Sequence, residues 1–260
     1  MFLKLSKGKL KFLAGLDQAK IRRREGCFLA EGRKVVAEAL RSNREIAMVL
    51  VRPDKEALWK PLLPSLADKE VFALTGAEWK RISQDRESEG IAAVVVSPPA
   101  RSFRECLTVD AGRLLLLYRV GNPLNLGAIL RSAHWFDVNR VLISTGSVDW
   151  THPKTVRASM GSLFHLDVFG EVDFAEALPE IAGHGPLIGT TVRGGVPPRP
   201  LPGPSALLLG SESHGLPDSL LSVAGECWCI PRLGDAESLS LPQAAAILLY
   251  EWTKGSPLAT

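Results

Sequence analysis

Three stretches in the second half of the chain gather polar residues with chemistry to offer beside glycines. The first runs Gly121-Asn122-Pro123-Leu124-Asn125-Leu126-Gly127 and on to Arg131-Ser132-Ala133. It follows an apolar run ending near Tyr118 and opens a helix, so Asn125 is placed to cap exposed N–H groups. Arg131 falls nearly two turns into the helix and is expected close to the face of Asn125's end; its planar fork suits a phosphate or carboxylate, or simply a surface ion pair. The second runs Leu209-Gly210-Ser211-Glu212-Ser213-His214-Gly215-Leu216-Pro217. Glycine straight after a strand lets a ligand approach the backbone, and Glu212 can hold a hydroxyl or an amine. The third runs Ile230-Pro231-Arg232-Leu233-Gly234-Asp235-Ala236-Glu237-Ser238-Leu239-Ser240-Leu241, ahead of an Ala-rich helix. None is a GxGxxG or P-loop signature.

The elements that must position these loops alternate. Leu114 to Leu117, Val141 to Ser144, Leu187 to Thr191, Leu207 to Leu209 and a run ending at Cys229 and Ile230 read as strands. Leu126 to Phe136, Phe174 to Ile181 and Ala244 to Trp252 read as helices. Such alternation predicts an α/β fold with a mainly parallel sheet, whose ligands sit beyond the carboxyl ends of the strands. The first half has strands at Cys27 to Ala30, Ile46 to Val51, Val71 to Ala73 and Ile91 to Val96, with a helix at Arg33 to Leu40. Pro98, Pro99 and their neighbours break the pattern. The expected domains are 1–97 and 105–260, with 98–104 as linker.

Composition narrows the classes. Hydrophobic residues make up 46% of 260, enough for a sizeable core. No apolar run approaches the roughly 20 residues of a membrane-spanning helix, and a cytoplasmic protein is expected. Net charge is only +3, but residues 1–24 concentrate cations, among them Lys9, Lys11, Arg22 and Arg23. Such a stripe can contact RNA phosphates or form a solvated helix face. Cys27, Cys106, Cys227 and Cys229 have no zinc spacing and read as buried, reduced thiols.

Taken together and in order, the loops resemble the motifs of the SpoU–TrmH family of RNA ribose methyltransferases, in the SPOUT superfamily. Asn122 through Ala133 looks like the first motif, Leu207 through Pro217 the second, and Ile230 through Glu251 the third. Lys20 to Gly32 and Glu89-Gly90-Ile91 look like the family's substrate-binding domain. The resemblance implies a catalytic domain with a C-terminal trefoil knot, a small N-terminal α/β domain, and a homodimer. It implies S-adenosylmethionine as methyl donor, no metal, and 2′-O-methylation of structured RNA. Ribosomal RNA of the 23S type is the first choice and transfer RNA the second. By match of position, Asn125, Arg131, Glu212 and Ser238 are catalytic. Ser240 joins them where the family usually has Asn; Pro242 and Asn122 also depart from the pattern. Gly210, Ile230 and Leu239 would line the donor site through backbone groups, with Leu209 and Thr190 nearby. Arg157 lies in a further family-like segment and is expected to contact RNA. Two other readings are kept: an RNA-binding or assembly protein without catalysis, motivated by Ser240, and a nucleotide-binding oxidoreductase, disfavoured by the missing GxGxxG.

Overall fold

The computed structural model describes residues 2–85, 87–107 and 112–257. The chain forms two compact units.

The first unit begins with strand β1 (Leu3–Lys4), helices α1 (Lys7–Gly15) and α2 (Ala19–Glu25), strand β2 (Cys27–Glu31) and helix α3 (Arg33–Arg41). Strand β3 (Ile46–Val51), the short helix α4 (Glu56–Trp59), β4 (Val71–Ala73), α5 (Gly76–Trp79) and β5 (Ile91–Val96) follow. The sheet order is β1-β4-β3-β5-β2, with β5 antiparallel to both β2 and β3 and the other pairs parallel. Alternate residues face alternate sides. Cys27, Leu29, Leu50, Ala92 and Val94 pack with Leu10, Leu13 and Leu16 of the α1 region, while Phe28 points to the other face.

Phe28 explains an unexpected feature. Its ring meets Trp150 edge-on at 5.7 Å and stacks on Phe164 at 6.3 Å. Residues 149–165, with helix α7 (Pro153–Ala158), therefore pack as part of the first unit, although the sequence assigned everything beyond 104 to the second domain. The segment is fastened by a buried guanidinium. Arg22 Nη2 donates to Asp149 (2.7 Å), Nε to Thr151 Oγ1 (3.0 Å), and Nη1 to the carbonyls of Leu16 and Asp17. The Arg22 side chain is only 2% exposed. At the segment's far end His165 Nε2 lies 3.0 Å from Glu38.

The second unit begins at Ala100. Phe103 and Cys106 are buried in its core, so the C-terminal part of the expected linker is packed structure. Strand β6 (Arg113–Leu117), helix α6 (Pro123–Trp135), β7 (Arg140–Ser144), β8 (Asp167–Val172), α8 (Phe174–Ala182), β9 (Leu187–Thr190), β10 (Ser205–Leu209), α9 (Asp218–Leu221), β11 (Glu226–Trp228) and α10 (Leu241–Thr253) complete it. All the pairs are parallel, in the order β11-β9-β10-β6-β7-β8. Every residue of β10 is buried, as expected for a parallel strand covered on both faces. Leu114, Leu116, Leu142, Ala206 and Leu208 share one core with Leu178 and Ile181 of α8. Helices α6 and α10 pack on each other.

Strand β8 was not anticipated. It is an edge strand with a register irregularity against β7, and Glu171 takes a left-handed φ of 56°. Its charged and glycine positions obscure the period-two signal. Strand β11 also stops short of Cys229 and Ile230. Cys27 and Cys106 are buried as expected, but Cys227 and Cys229 are only half-buried. Burial pushes the Cys106 thiol up to about 11, against a smaller lowering by a backbone hydrogen bond.

Candidate active site

In an open parallel sheet, the crevice forms where strand order reverses. Here the chain runs outward from β6 through β7 to β8, then crosses back to β9 and β10 on the other side of β6. The loops after β6 and β10 therefore flank one crevice. Backbone pairing extends past the strands, with Tyr118 N–H donating to the Leu209 carbonyl at 2.9 Å.

Helix α6 starts in that crevice. Asn122, not Asn125, is its N-cap: Asn122 Oδ1 accepts from Leu124 N at 2.9 Å. Pro123 occupies the first turn, where a missing N–H costs nothing. The Asn125 side chain is thereby released to reach across the crevice. Its Nδ2 donates to Glu212 at 3.1 Å, and the N–H groups of Gly121 and Asn122 approach the same carboxylate at 3.3 and 3.4 Å. A carboxylate beside a helix N-terminus is also favoured by the helix dipole. Glu212 thus ties the first and second loops together while staying exposed to solvent.

Two serines that the sequence reading missed brace the first loop. Ser144 Oγ accepts from Arg119 N at 2.8 Å, and Ser147 Oγ from Val120 N at 3.2 Å. The signal available was a serine ending an apolar strand before a glycine turn, and it is too common to be diagnostic. The second loop is closed by reciprocal backbone bonds between Ser211 and Gly215, both 3.1 Å. Gly210 makes that closure possible. A Cβ there would sit 2.2 Å from the Gly215 carbonyl carbon, a distance no side chain can occupy.

Of the residues expected around the donor, Thr190, Leu209, Gly210 and Ile230 lie at or just past the carboxyl ends of the neighbouring strands β9, β10 and β11. Trp228 pairs with Thr190 at the ends of β11 and β9. Thr190 Oγ1 donates to the Leu208 carbonyl at 2.9 Å, which sets Leu209 and Gly210 beside it. Ile230 follows directly from β11. From 231 to 240 every residue is exposed, including Ser238, Leu239 and Ser240. Among the described residues, the only partnered backbone group of 231–239 is the Ala236 carbonyl, which accepts from Arg232. Ser240 N-caps α10, and its backbone N–H donates to Gln243 Oε1 at 3.3 Å.

Arg131 is not brought to Asn125. Six helical residues rotate it about 120° away around the axis, so it shares a stripe with Leu124, Ala128 and Trp135. It is exposed, and its side chain makes no hydrogen bond or ion pair among the described residues.

The expected RNA contacts divide. Lys11 and Arg23 are exposed, and Lys9 lies over the Phe72 ring at 4.2 Å while remaining accessible. Arg157 pairs with Asp85 at 2.9 Å and is half-exposed. Arg22 is a correction. Four of its five N–H groups go to protein acceptors, and at 2% exposure the guanidinium is out of reach of a phosphate. Sequence charge alone could not separate it from Arg23, one residue on.

The profile of the SpoU rRNA Methylase family matches residues 112–250, which contain all three loops. The chain belongs to that family. An MRM3-like substrate binding domain matches residues 7–93. A putative TrmH-family RNA methyltransferase from Porphyromonas gingivalis is 31% identical, with a TM-score of 0.80 over 96% of this chain and 98% of that one. A solved RNA 2′-O ribose methyltransferase is 30% identical, with a TM-score of 0.81 over 96% and 97%. The 23S rRNA (guanosine(2553)-2′-O)-methyltransferase RlmP of Bacillus subtilis (strain 168) is 29% identical over 93% of this chain and 94% of its own. This SpoU-family membership disposes of the oxidoreductase reading.

Proposed function

We propose that this SpoU-family protein transfers a methyl group from S-adenosylmethionine to a ribose 2′-hydroxyl of 23S-type ribosomal RNA, in the cytoplasm. The observation that carries the reading is the Glu212 carboxylate gathering Asn125 and the 121–122 backbone at the switch point. Relatives matching along nearly the whole chain act on that class of RNA by name. The described residues contain no helix long and apolar enough to cross a membrane.

The residues past the carboxyl ends of β9, β10 and β11 fit the donor. Exposed, unpartnered backbone groups along 231–239 can hydrogen-bond a heteroaromatic edge, and Ile230 and Leu239 offer apolar contact. The donor supplies a methyl group on a cationic sulfonium, which departs as a neutral thioether. The protein's task is alignment of the 2′-oxygen behind that methyl, which can contribute roughly 7–11 kcal/mol when geometry is good. Glu212 holds Asn125 and the first loop in place. Arg131 holds the target phosphate and stabilises the developing alkoxide; its guanidinium stays protonated and is no base, so the 2′-hydroxyl proton passes to solvent, to which the loops are open. Ser238 contacts the reacting groups from the third loop. Ser240 supports that loop as a helix cap, a task for which serine and asparagine are about equally suited, so its departure from the family pattern is compatible with activity.

Arg131 reaches its place in a homodimer. Leu124 is 55% exposed and Trp135 83% on its stripe, and Ile247 and Tyr250 are exposed on neighbouring α10. Phe136 at the end of α6 meets Tyr250 at 6.1 Å. A second copy covering this face puts Arg131 at the interface. The knot belongs to the same reading. Its support is that loop 191–204 pairs with β11 through Val196 and with the end of α10 through Leu201.

The test is transfer of labelled methyl from S-adenosylmethionine into an unmodified 23S rRNA transcript, with nuclease mapping. A discrete 2′-O-methyl site, lost in Asn125→Ala and Arg131→Ala, is expected. Donor binding without incorporation into this or any other RNA would favour the assembly-protein reading instead.

A further inference from the structure

The first unit carries a groove that the chemistry above does not use. It lies between α1 and α2 and is lined by Gly8, Lys11, Phe12, Gln18, Ile21 and Arg24, among others. Gly8, Lys11, Phe12 and Gly15 recur at positions i, i+3, i+4 and i+7, so they share one face of α1. The two glycines differ. A Cβ at Gly15 would press on Ile21 at 3.3 Å, so glycine there spares the packing of α1 on α2 a tight contact. A Cβ at Gly8 would meet nothing nearer than Ser6 Oγ at 3.9 Å. Packing does not ask for glycine at 8, and glycine weakens a helix. What its absence of side chain does is leave the groove open.

The lining has two characters. Phe12 and Ile21 are half-buried, with their bodies against the core and an edge in the groove. Lys11 and the Gln18 side-chain amide have no partner among the described residues. Arg24 donates to the neighbouring Glu25 and is 65% exposed, which leaves other N–H groups facing solvent. Lys7, Lys20 and Arg23 are exposed on the same two helices. An aromatic and aliphatic wall, one amide and two cations, with the one lining carboxylate, Glu25, paired to Arg24, complement one unpaired nucleotide: a flat base, a hydrogen-bonding edge and a phosphate. Unpaired bases against aromatic side chains are the usual means by which proteins read RNA specifically.

We propose that the α1–α2 groove seats an unpaired nucleotide of the RNA substrate, with the base against Phe12 and Ile21, its edge on Gln18, and its phosphate between Lys11 and Arg24. This rests on the RNA-methyltransferase reading and adds to it a second point of RNA recognition, on the first unit. Gly8 gives a clean test. Gly8→Leu fills the groove from a position with free space, so the full-length variant should keep or raise its Tm and bind S-adenosylmethionine as wild type does. Its affinity for an unmodified 23S rRNA transcript should fall on the order of tenfold, the loss of one base contact. Gln18→Ala should weaken the same complex by a smaller factor, with its salt dependence unchanged. Lys11→Ala should lower the salt slope by about one unit. If Gly8→Leu is folded and binds the transcript as tightly as wild type, the groove is not a nucleotide seat. If wild type binds no RNA at all, the functional reading fails, and the groove proposal with it.

Discussion

Replacing Arg22 should destabilise the protein rather than weaken its grip on RNA. Arg22→Ala strands the Leu16 and Asp17 carbonyls and leaves the Asp149 carboxylate with only Thr151, whose N–H and hydroxyl bond it at 2.9 and 2.7 Å. Breaking a buried ion pair from one side costs about 3–5 kcal/mol. At a urea m-value of about 2–3 kcal/mol/M, the midpoint should drop by roughly 1–2 M. Arg22→Lys should recover only part of this, because one ammonium cannot span acceptors on three sides. The sign with pH follows from Asp149. Burial raises its pKa, but the hydrogen bonds from Thr151 and Arg22 and the charge of Arg22 outweigh that, so it ends below the usual carboxylate range. A depressed carboxylate stabilises above its unfolded pKa, about 3.9, and the contribution is lost as pH falls through the folded value. The stability gap between wild type and Asp149→Asn should therefore be constant from pH 5 to 8 and close below about pH 4. Urea titrations at several pH values read both. An Arg22→Ala midpoint close to wild type, with a reduced salt slope for RNA binding, would refute the structural role and restore Arg22 to the RNA surface.

Two further outcomes follow from the second unit. Gly210→Ala puts a methyl group into the closed 211–215 turn, and overpacking of this kind costs roughly 1–3 kcal/mol. Calorimetry should show weaker S-adenosylmethionine binding, while RNA affinity on the first unit is retained. Trp135→Glu places a charge on the exposed face of α6. Sedimentation should shift from dimer to monomer with an unchanged circular dichroism spectrum, and a variant that sediments like wild type would remove that face from the interface.

Local pattern carried a good deal. Strands β3, β4 and β5 were legible to the residue, because β-branched runs bounded by polar breaks have no competing reading. The three loops were legible as a set, since their order along the chain is specific even where each alone is an ordinary turn. What sequence could not supply was direction and partner. Asn122 and Asn125 are equally good capping residues on paper. Only the approach of Glu212 from a loop some ninety residues away assigns one to the helix and the other to the crevice. Arg22 and Arg23 are adjacent arginines of one helix, and the fold buries the first against Asp149 while the second stays exposed. Residues 149–165 read as part of the methyltransferase domain by position. They join the first unit because Phe28 of β2 needs Trp150 and Phe164 to cover it, and burial of apolar surface is indifferent to distance along the chain. Periodicity and motif order are local and survive in a string of letters. Which groups meet is set by the packing of distant elements, and that information exists only once the chain has folded.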